Sequence, residues 1–219
     1  MRPSDVALGS LAVCVSLSLV ACGDGGGSGG AAKGAWPGAT PTSASAPAMP
    51  AGWSEVAAAT LTPAQQAQRQ RAEGAKQAMF LRLLGALTEA TKSGGPAAAI
   101  PVCREQAPAI AREVAAERKV AIGRTSFRLR NPGNTAPAWS EGFVAARATE
   151  PRFAAGPDGR LGALLPIRLM RACLACHGPQ DALAAGVADT LAKHYPDDRA
   201  TGFAEGDLRG WFWVEVPSN

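Results

Sequence analysis

One five-residue stretch constrains this chain more than any other: Cys173-Leu174-Ala175-Cys176-His177, a C-x-x-C-H motif. Two thiols at this spacing can each reach one vinyl group of a single porphyrin when the backbone between them turns helically. The motif is the attachment signature of c-type haem. The adjacent histidine then presents a ring nitrogen to the iron as the proximal ligand. The sequence therefore predicts one covalent haem c, bonded to Cys173 and Cys176 and ligated by His177.

Other sites also use closely spaced cysteines, and each fits this chain less well. A thioredoxin-like dithiol follows a strand in a βαβ unit and needs no histidine after it. A disulfide staple would use the two thiols but not the imidazole. A zinc site needs two further ligands, and the exported chain offers only Cys103 and His194. We favour haem over these alternatives.

The start of the chain has the features of an export signal. An apolar stretch from Val6 to Val20 follows Arg2, and it is shorter than the roughly 18 residues that a membrane-spanning helix needs. It ends in Leu19-Val20-Ala21-Cys22, which resembles the lipobox of bacterial lipoproteins, in which the cysteine sulfur carries a diacylglycerol. The alternative is an ordinary secretory signal that happens to contain a cysteine. Residues 1–21 are predicted to be a lipoprotein signal peptide, with Cys22 as the lipidation site.

The segment that follows Cys22 has the composition of a linker. Between Gly23 and Pro50, Gly and Pro make up 12 of 28 residues and only two residues are charged. Such a segment buries too little apolar surface to fold. We predict a flexible tether over residues 22–60 and a folded domain over residues 61–217, held by lipid at the periplasmic side of a bacterial membrane. By resemblance to the sorting of enterobacterial lipoproteins, Gly23 rather than aspartate after the lipidated cysteine favours the outer membrane over the inner one.

The charge and aromatic content of the chain argue against one class of partner and favour a bound cofactor. The formal net charge is +4 and the Lys and Arg residues are scattered along the chain, whereas a nucleic-acid-binding surface would concentrate them. No nucleic-acid partner is therefore expected. Only 5% of the residues are aromatic, and a bulky cofactor could supply the missing hydrophobic volume.

Apolar spacing and turn residues predict an α+β domain. The predicted elements begin with a helix capped by Thr62 and ending near Lys92, followed by a helix over 96–118 and a strand over 120–130. Next come a short helix over 139–148 and two strands joined by a turn at 156–159, the second strand covering 161–167. A helix over 180–195 and a strand over 208–216 complete the domain. The inward faces of the first two helices are predicted to carry Met79, Phe80, Leu83, Leu84 and Leu87, then Ile100, Cys103, Ala107, Ile110 and Val114.

Cys103 is the one thiol that these assignments leave free. Cys14 leaves with the signal peptide, and the remaining cysteines are lipidated or bound to haem. An inward-facing free cysteine is either a small buried hydrophobe or an iron ligand opposite His177. The residues alone rank Cys103 first for the sixth coordination position, with His194 close behind and Met170 and Met79 as weaker candidates.

Four blocks in a fixed order carry a resemblance to a known family. They are the Cys173–Gly178 motif, Val102–Pro108, the pair Gly123–Ser126 and Arg130–Pro132, and Tyr195–Phe203 running on to Glu205–Gly210. Together they resemble the single-haem, PAS-like c-type cytochrome domain first catalogued as a domain of unknown function. The likeness covers roughly residues 62–216.

The resemblance implies a PAS-like antiparallel sheet with a long N-terminal helical segment and flanking helices around one covalent haem. It also implies an axial pair of His177 and Cys103. Arg104, Arg124, Arg128 and Arg130 are available to the iron ligands or the propionates, although each taken singly is expected to be a solvated surface charge.

A six-coordinate His/Cys haem implies a membrane-anchored electron-transfer or redox-sensing protein, because both axial positions are filled and a thiolate favours ferric iron. One alternative is a sensor of NO or CO that acts through a separate partner after Cys103 dissociates. A haem peroxidase is the weaker alternative. The sequence does not identify the redox or signalling partner protein.

Overall fold

The computed structural model describes residues 48–218. The predicted signal peptide, Cys22 and most of the predicted tether lie outside the described residues. The strands are β1 (Ser54–Val56), β2 (Ala121–Thr125), β3 (Arg152–Ala155), β4 (Leu161–Arg168) and β5 (Leu208–Val216). The helices are α1 (Pro63–Arg118), α2 (Glu141–Ala145), α3 (Leu174–His177) and α4 (Val187–His194). Single turns of 3-10 helix lie at Ala58–Thr60, Ala138–Ser140, Pro157–Gly159, Arg171–Cys173 and Gln180–Ala182.

The strands form one antiparallel sheet in the order β1-β3-β4-β5-β2. The chain enters this sheet at an edge, makes the long α1 segment, and returns to the opposite edge as β2. The β3-β4-β5 strands then fill the middle of the sheet. The predicted α+β class, with an antiparallel sheet, a long N-terminal helical segment and flanking helices, is confirmed.

The α1 segment is two helices in one run. It is broken at Gly94 and at Gly95, whose φ of 74° and ψ of 178° are not helical. Pro96 starts the second half, where a proline costs little because the first N–H groups of a helix have no intrahelical partner. At the start of α1, Thr62 and Gln65 form a reciprocal capping box. The predicted cap and the predicted break are both confirmed.

The sheet is apolar on both faces because both faces are covered. In β4 and β5, alternate residues pack against α1, and the intervening residues contact Trp139 on the other side. The residues on the α1 side are Leu161, Ala163, Leu165, Phe212, Val214 and Val216. Five successive residues of β4, Leu161–Leu165, are consequently buried.

The inward faces predicted for the two halves of α1 are observed with one exception. Met79, Leu83, Ile100, Ala107, Ile110 and Val114 are buried, whereas Phe80, Leu87 and Cys103 are half-buried. Leu84 was expected in the core but is 37% exposed. It lies at the rim of a cavity rather than between α1 and the sheet.

The folded region starts before the predicted boundary at residue 61. β1 pairs with β3, and Trp53 stacks on Trp139 with ring centroids 5.3 Å apart. Gly162 makes room for this pair, since a Cβ there would lie 2.9 Å from both indole rings. The last residues of the predicted tether therefore belong to the sheet.

Two predicted elements are shorter than expected. β2 ends at Thr125 because the Ser126 hydroxyl donates to the Arg209 carbonyl (2.7 Å) and accepts from the Arg128 N–H (3.0 Å), which replaces the next rungs of the ladder. The helix predicted over 180–195 is a 3-10 turn followed by α4. Gly186, with φ of 74°, separates the two.

Candidate functional site

The C-x-x-C-H motif follows directly from the end of a central strand. β4 leaves the sheet at a register shift between Ile167 and Arg168. The chain then makes a 3-10 turn and the short helix α3, which the Gly178 N–H closes on the Leu174 carbonyl at 2.8 Å. The motif therefore adopts the helical turn that attachment of both thiols to one porphyrin requires. It presents its two thiols and its imidazole toward α1.

A cavity of about 330 Å³ separates the motif from α1. Its lining is mostly apolar. Cys103, Cys173, Cys176 and His177 all contribute to the wall, together with Leu84, Leu87, Thr88, Thr91, Lys92, Pro96, Ala99, Ile100, Arg130, Met170, Ala172 and Ala175. An adjoining cavity of about 180 Å³ shares Cys103, Cys173 and His177 and extends toward β2 and β5. Thus Cys103, 70 residues from the motif, is brought into the same space as its histidine.

His177 is held in one tautomer. Its Nδ1 lies 2.7 Å from the carbonyl oxygen of Ala200, and because a carbonyl only accepts, Nδ1 carries the hydrogen. Burial, with a contribution from nearby Arg130, lowers the pKa of the His177 imidazole well below its usual range. The neutral ring therefore has its lone pair on Nε2. This is the protonation state that a metal-binding histidine requires, with a carbonyl orienting the ring.

The loop after α4 fixes the position of this histidine through backbone contacts. The Phe203 N–H donates to the His177 carbonyl at 3.0 Å, and the Gly202 N–H donates to the Gly178 carbonyl at 2.7 Å. The Phe203 ring also packs edge-on against the imidazole at 6.5 Å. Arg128 lies over the other side of the Phe203 ring, 4.4 Å from its centroid. The loop thus supports both the backbone and the ring of His177.

A buried ion pair connects the motif to this loop. The Arg130 guanidinium contacts Asp198 with Nε and Nη2 at 3.2 and 3.1 Å, and both side chains are less than 10% exposed. Nη2 also donates to the Cys176 carbonyl at 2.6 Å. The Asp198 carboxylate in turn accepts from the Ala200 N–H at 2.9 Å. Asp198 therefore positions the residue whose carbonyl orients His177.

This ion pair gives a stability prediction. Asp198→Asn keeps the side-chain size but leaves the Arg130 charge buried without a counter-ion, a change that typically costs about 3–5 kcal/mol. We expect the free energy of unfolding, measured by chemical denaturation, to fall by that amount. Glu55→Gln is the matched control, since its ion pair with Arg152 is half exposed, and it should change little. Equal effects of the two substitutions would contradict the assigned role of Asp198.

The structure separates the candidates for a second ligand opposite His177. Cys103 and Met170 line the cavity that contains the motif. His194 lies at the end of α4 and lines a different cavity with Arg104, Tyr195 and Pro196. Met79 is buried in the core between α1 and the sheet. Cys103 is also the candidate that the second, adjoining cavity shares with His177.

Sequence reasoning missed part of this site. Arg130 was expected at the surface but is 6% exposed, and nothing in its local sequence reveals the distant Asp198 as its partner. The Ala200 carbonyl is a backbone group and has no side-chain signal. Asp198 and Ala200 do fall in one of the four blocks that carried the family resemblance, and this was the available indication of their importance.

The other sites considered for the cysteines find no counterpart among residues 48–218. Cys103, Cys173 and Cys176 are all free thiols there. The same residues contain no group of three His, Cys, Asp or Glu side chains arranged to hold a metal ion by themselves. None of the helices described is both long and apolar enough to cross a membrane.

Comparisons with known proteins agree with the fold. Among solved structures, the cyanobacterial heme-protein Tll0287 superposes with a TM-score of 0.51 at 21% sequence identity, covering 72% of this chain and 97% of that one. No curated protein matches the sequence. The model of the Tll0287-like family matches residues 53–217, a range that holds the sheet from β1 to β5, both halves of α1 and the cavity with its histidine and three thiols. The chain belongs to the Tll0287-like family.

Proposed function

We propose that this protein is a c-type haem protein in which Cys173 and Cys176 form thioethers and His177 ligates the iron. The observation that carries the proposal is the convergence of both thiols and a neutral, oriented imidazole on one largely apolar cavity. The description of the structurally similar Tll0287 as a heme-protein supports it. The residues fit the group, since the donors suit iron and the lining suits a porphyrin face.

We assign Cys103 as the second axial ligand, as the family resemblance implies. Cys103 and His177 line both parts of the cavity, so they can approach a planar group from two helices. A bound haem would supply one-electron chemistry between ferric and ferrous iron. A thiolate donates electron density and stabilises the ferric state, which lowers the reduction potential relative to a Met/His cytochrome.

Electron transfer or redox sensing is the function that this ligand set supports best. With His177 and Cys103 both bound, the iron of a haem would have no vacant position for a substrate. The wall of the cavity also reaches solvent at a rim of mixed polarity, where Leu84 is 37% and Met170 is 44% exposed beside the exposed Thr88, Thr91 and Lys92. Such a rim would let a redox or signalling partner protein approach the bound group closely.

Carbon monoxide tests this function against gas sensing. If Cys103 stays bound on reduction, the ferrous protein should keep a low-spin spectrum and bind CO slowly or not at all, because the ligand must first dissociate. A redox titration followed by absorbance should then give a single low potential. Rapid CO binding to the reduced wild type would overturn the electron-transfer assignment and favour the sensor of diatomic gases.

The N-terminal sequence supports placing this domain on a membrane. The lipobox-like Leu19–Cys22 would supply a lipid anchor, and the Gly/Pro-rich segment after it would separate the lipid from the domain. The proposed location is the periplasmic side of a bacterial membrane, with the outer membrane favoured over the inner one.

Cys22→Ser tests the anchor. Without an acylated sulfur, the chain cleaved of its signal peptide should move from the membrane fraction to the soluble fraction almost completely, since the acyl chains are its predicted anchor. Fractionation followed by haem staining measures the shift. Cys103→Ser, which alters a thiol within the domain, should leave the distribution unchanged. Persistent membrane binding of Cys22→Ser would contradict the lipobox assignment.

A further inference from the structure

Two arginines project into the smaller part of the cavity without a matching anion. Arg124 of β2 and Arg209 of β5 line it together with Cys103 and His177. The side chain of Arg124 makes no hydrogen bond or ion pair with any of residues 48–218. The Nε of Arg209 is buried and has no partner within the same range. Arg130, by contrast, is fully matched by Asp198.

Two guanidinium groups without counter-ions in one cavity are unfavourable for the stability of the protein without a ligand. Burial lowers the pKa of the Arg124 guanidinium and lowers that of Arg209 to about 10. Arginine side chains stay protonated in proteins at neutral pH. The Arg124 and Arg209 side chains are half-buried, and a charge withdrawn from water without a counter-ion is unfavourable for folding. A bound anion would supply the negative charge that both side chains lack.

The pair is also held in position to receive such an anion. One Arg209 terminal nitrogen donates to the Ser126 hydroxyl at 2.9 Å and to the Arg128 carbonyl at 3.1 Å. These contacts fix the guanidinium plane, and the second terminal nitrogen has no hydrogen-bond partner among residues 48–218. Arg124 lies on the neighbouring strand, where its register partner is Phe212. Two adjacent forked donors match two carboxylates, which arginine binds in a bidentate fashion.

The position of the arginines relative to the thiols agrees with the shape of haem. Cys176 lines the part of the cavity against α1, whereas Arg124 and Arg209 line the part against β2 and β5, and Cys173 and His177 line both. In a haem the two propionates lie on the edge opposite the two vinyl groups. A porphyrin attached through its vinyl edge at α3 would thus present its carboxylates toward the sheet.

We propose that Arg124 and Arg209 bind the two haem propionates, and that the fold retains these half-buried cations for this ligand. The proposal rests on the proposed haem function and adds the groups that set the orientation of the ring. Their two positive charges match two carboxylates, so that loading the site removes the unfavourable charge that the apo-protein carries.

Ferric haem and its dimethyl ester test this assignment. The parent is the full chain with Cys173→Ala and Cys176→Ala, which prevents covalent capture so that a dissociation constant can be measured. We expect the parent to bind haem about 100-fold more tightly than the ester. Arg124→Gln and Arg209→Gln should each reduce this preference about tenfold, in line with the strength of charge-assisted hydrogen bonds. Arg124→Lys, which keeps the charge without the fork, should retain part of the preference.

Arg160→Gln is the matched control. Arg160 also has a buried Nε without a partner, but it pairs with Glu215 and lines a cavity with Lys119 that contains no residue of the motif. The preference of the Arg160→Gln variant for haem over the ester should equal that of the parent. Thermal unfolding of the apo-chain adds a second readout: Arg124→Gln should raise the melting temperature, by about 2–4 °C for each kcal/mol relieved.

The outcomes separate this proposal from the proposed function. A parent that binds haem and ester equally well, or a double Arg124→Gln/Arg209→Gln variant that keeps the full preference, overturns the propionate assignment while leaving haem binding intact. A lower melting temperature of apo Arg124→Gln shows a structural role and also overturns it. A parent that binds neither compound also overturns the propionate assignment, whereas a wild-type chain that acquires no covalent haem overturns the proposed function itself.

Discussion

A chain carrying both Cys173→Ala and Cys176→Ala is expected to lose covalent haem completely. Each thioether joins one of these sulfurs to the porphyrin, and the remaining thiol, Cys103, lines the same cavity but lies outside the C-x-x-C-H spacing. Haem staining of a denaturing gel should fall from one haem per chain to background. Intact-mass measurement should show the same loss.

Single substitutions and a distant thiol control this experiment. Cys173→Ala or Cys176→Ala alone should leave one thioether and a reduced yield, whereas Cys103→Ala should keep covalent haem at the wild-type level. Undiminished haem staining of the double variant would mean that the attachment site lies elsewhere. A soluble double variant without covalent haem, and with the far-ultraviolet circular dichroism of the wild-type apo-chain, would show that the loss is chemical rather than a failure to fold.

The second large effect is expected from the loss of Cys103, the proposed iron ligand opposite His177. Cys103→Ala should retain covalent haem but convert the ferric spectrum from low spin to high spin, because removal of the sulfur opens the sixth position to water. The reduced variant should then bind CO rapidly. Axial-ligand identity moves haem potentials over about 0.8 V, and loss of a thiolate should raise the potential by on the order of 0.1 V.

Two neighbours of the site control for the ligand assignment. His194→Ala alters the histidine that the structure places in a different cavity, and it should leave the spectrum unchanged. Met170→Leu alters the exposed methionine at the cavity rim and should do the same. An unchanged ferric spectrum in Cys103→Ala, with a changed one in either control, would identify another sixth ligand.

Several elements of the fold could be predicted from the sequence because residues close to them in the chain determine where they begin and end. The Thr62 cap, the Gly94-Gly95 break and the β5 strand each depend on residues within a few positions, and all three are found as predicted. The failures depend on tertiary contacts. β1 exists because Trp53 finds Trp139 and β3, and the sequence around residue 54 contains no sign of either partner.

In the candidate site, too, the features set by neighbouring residues could be predicted and those set by distant residues could not. The helical turn of the motif follows from its spacing, and Cys103 follows from its place on the inward face of α1. The elements that hold His177 in its tautomer come from a loop more than 20 residues away, through the Ala200 carbonyl and the Asp198 carboxylate. Neither periodicity nor residue type predicts a backbone acceptor, so only the three-dimensional structure identifies it.

Intact-mass spectrometry of the mature wild-type protein, produced in a host equipped to attach haem to cysteine thiols, tests the central claim most directly. The account predicts a red protein whose mass exceeds that of its polypeptide and lipid by one haem, and whose colour survives denaturation and acid–acetone extraction. A colourless protein with the mass of the polypeptide and lipid alone would contradict it.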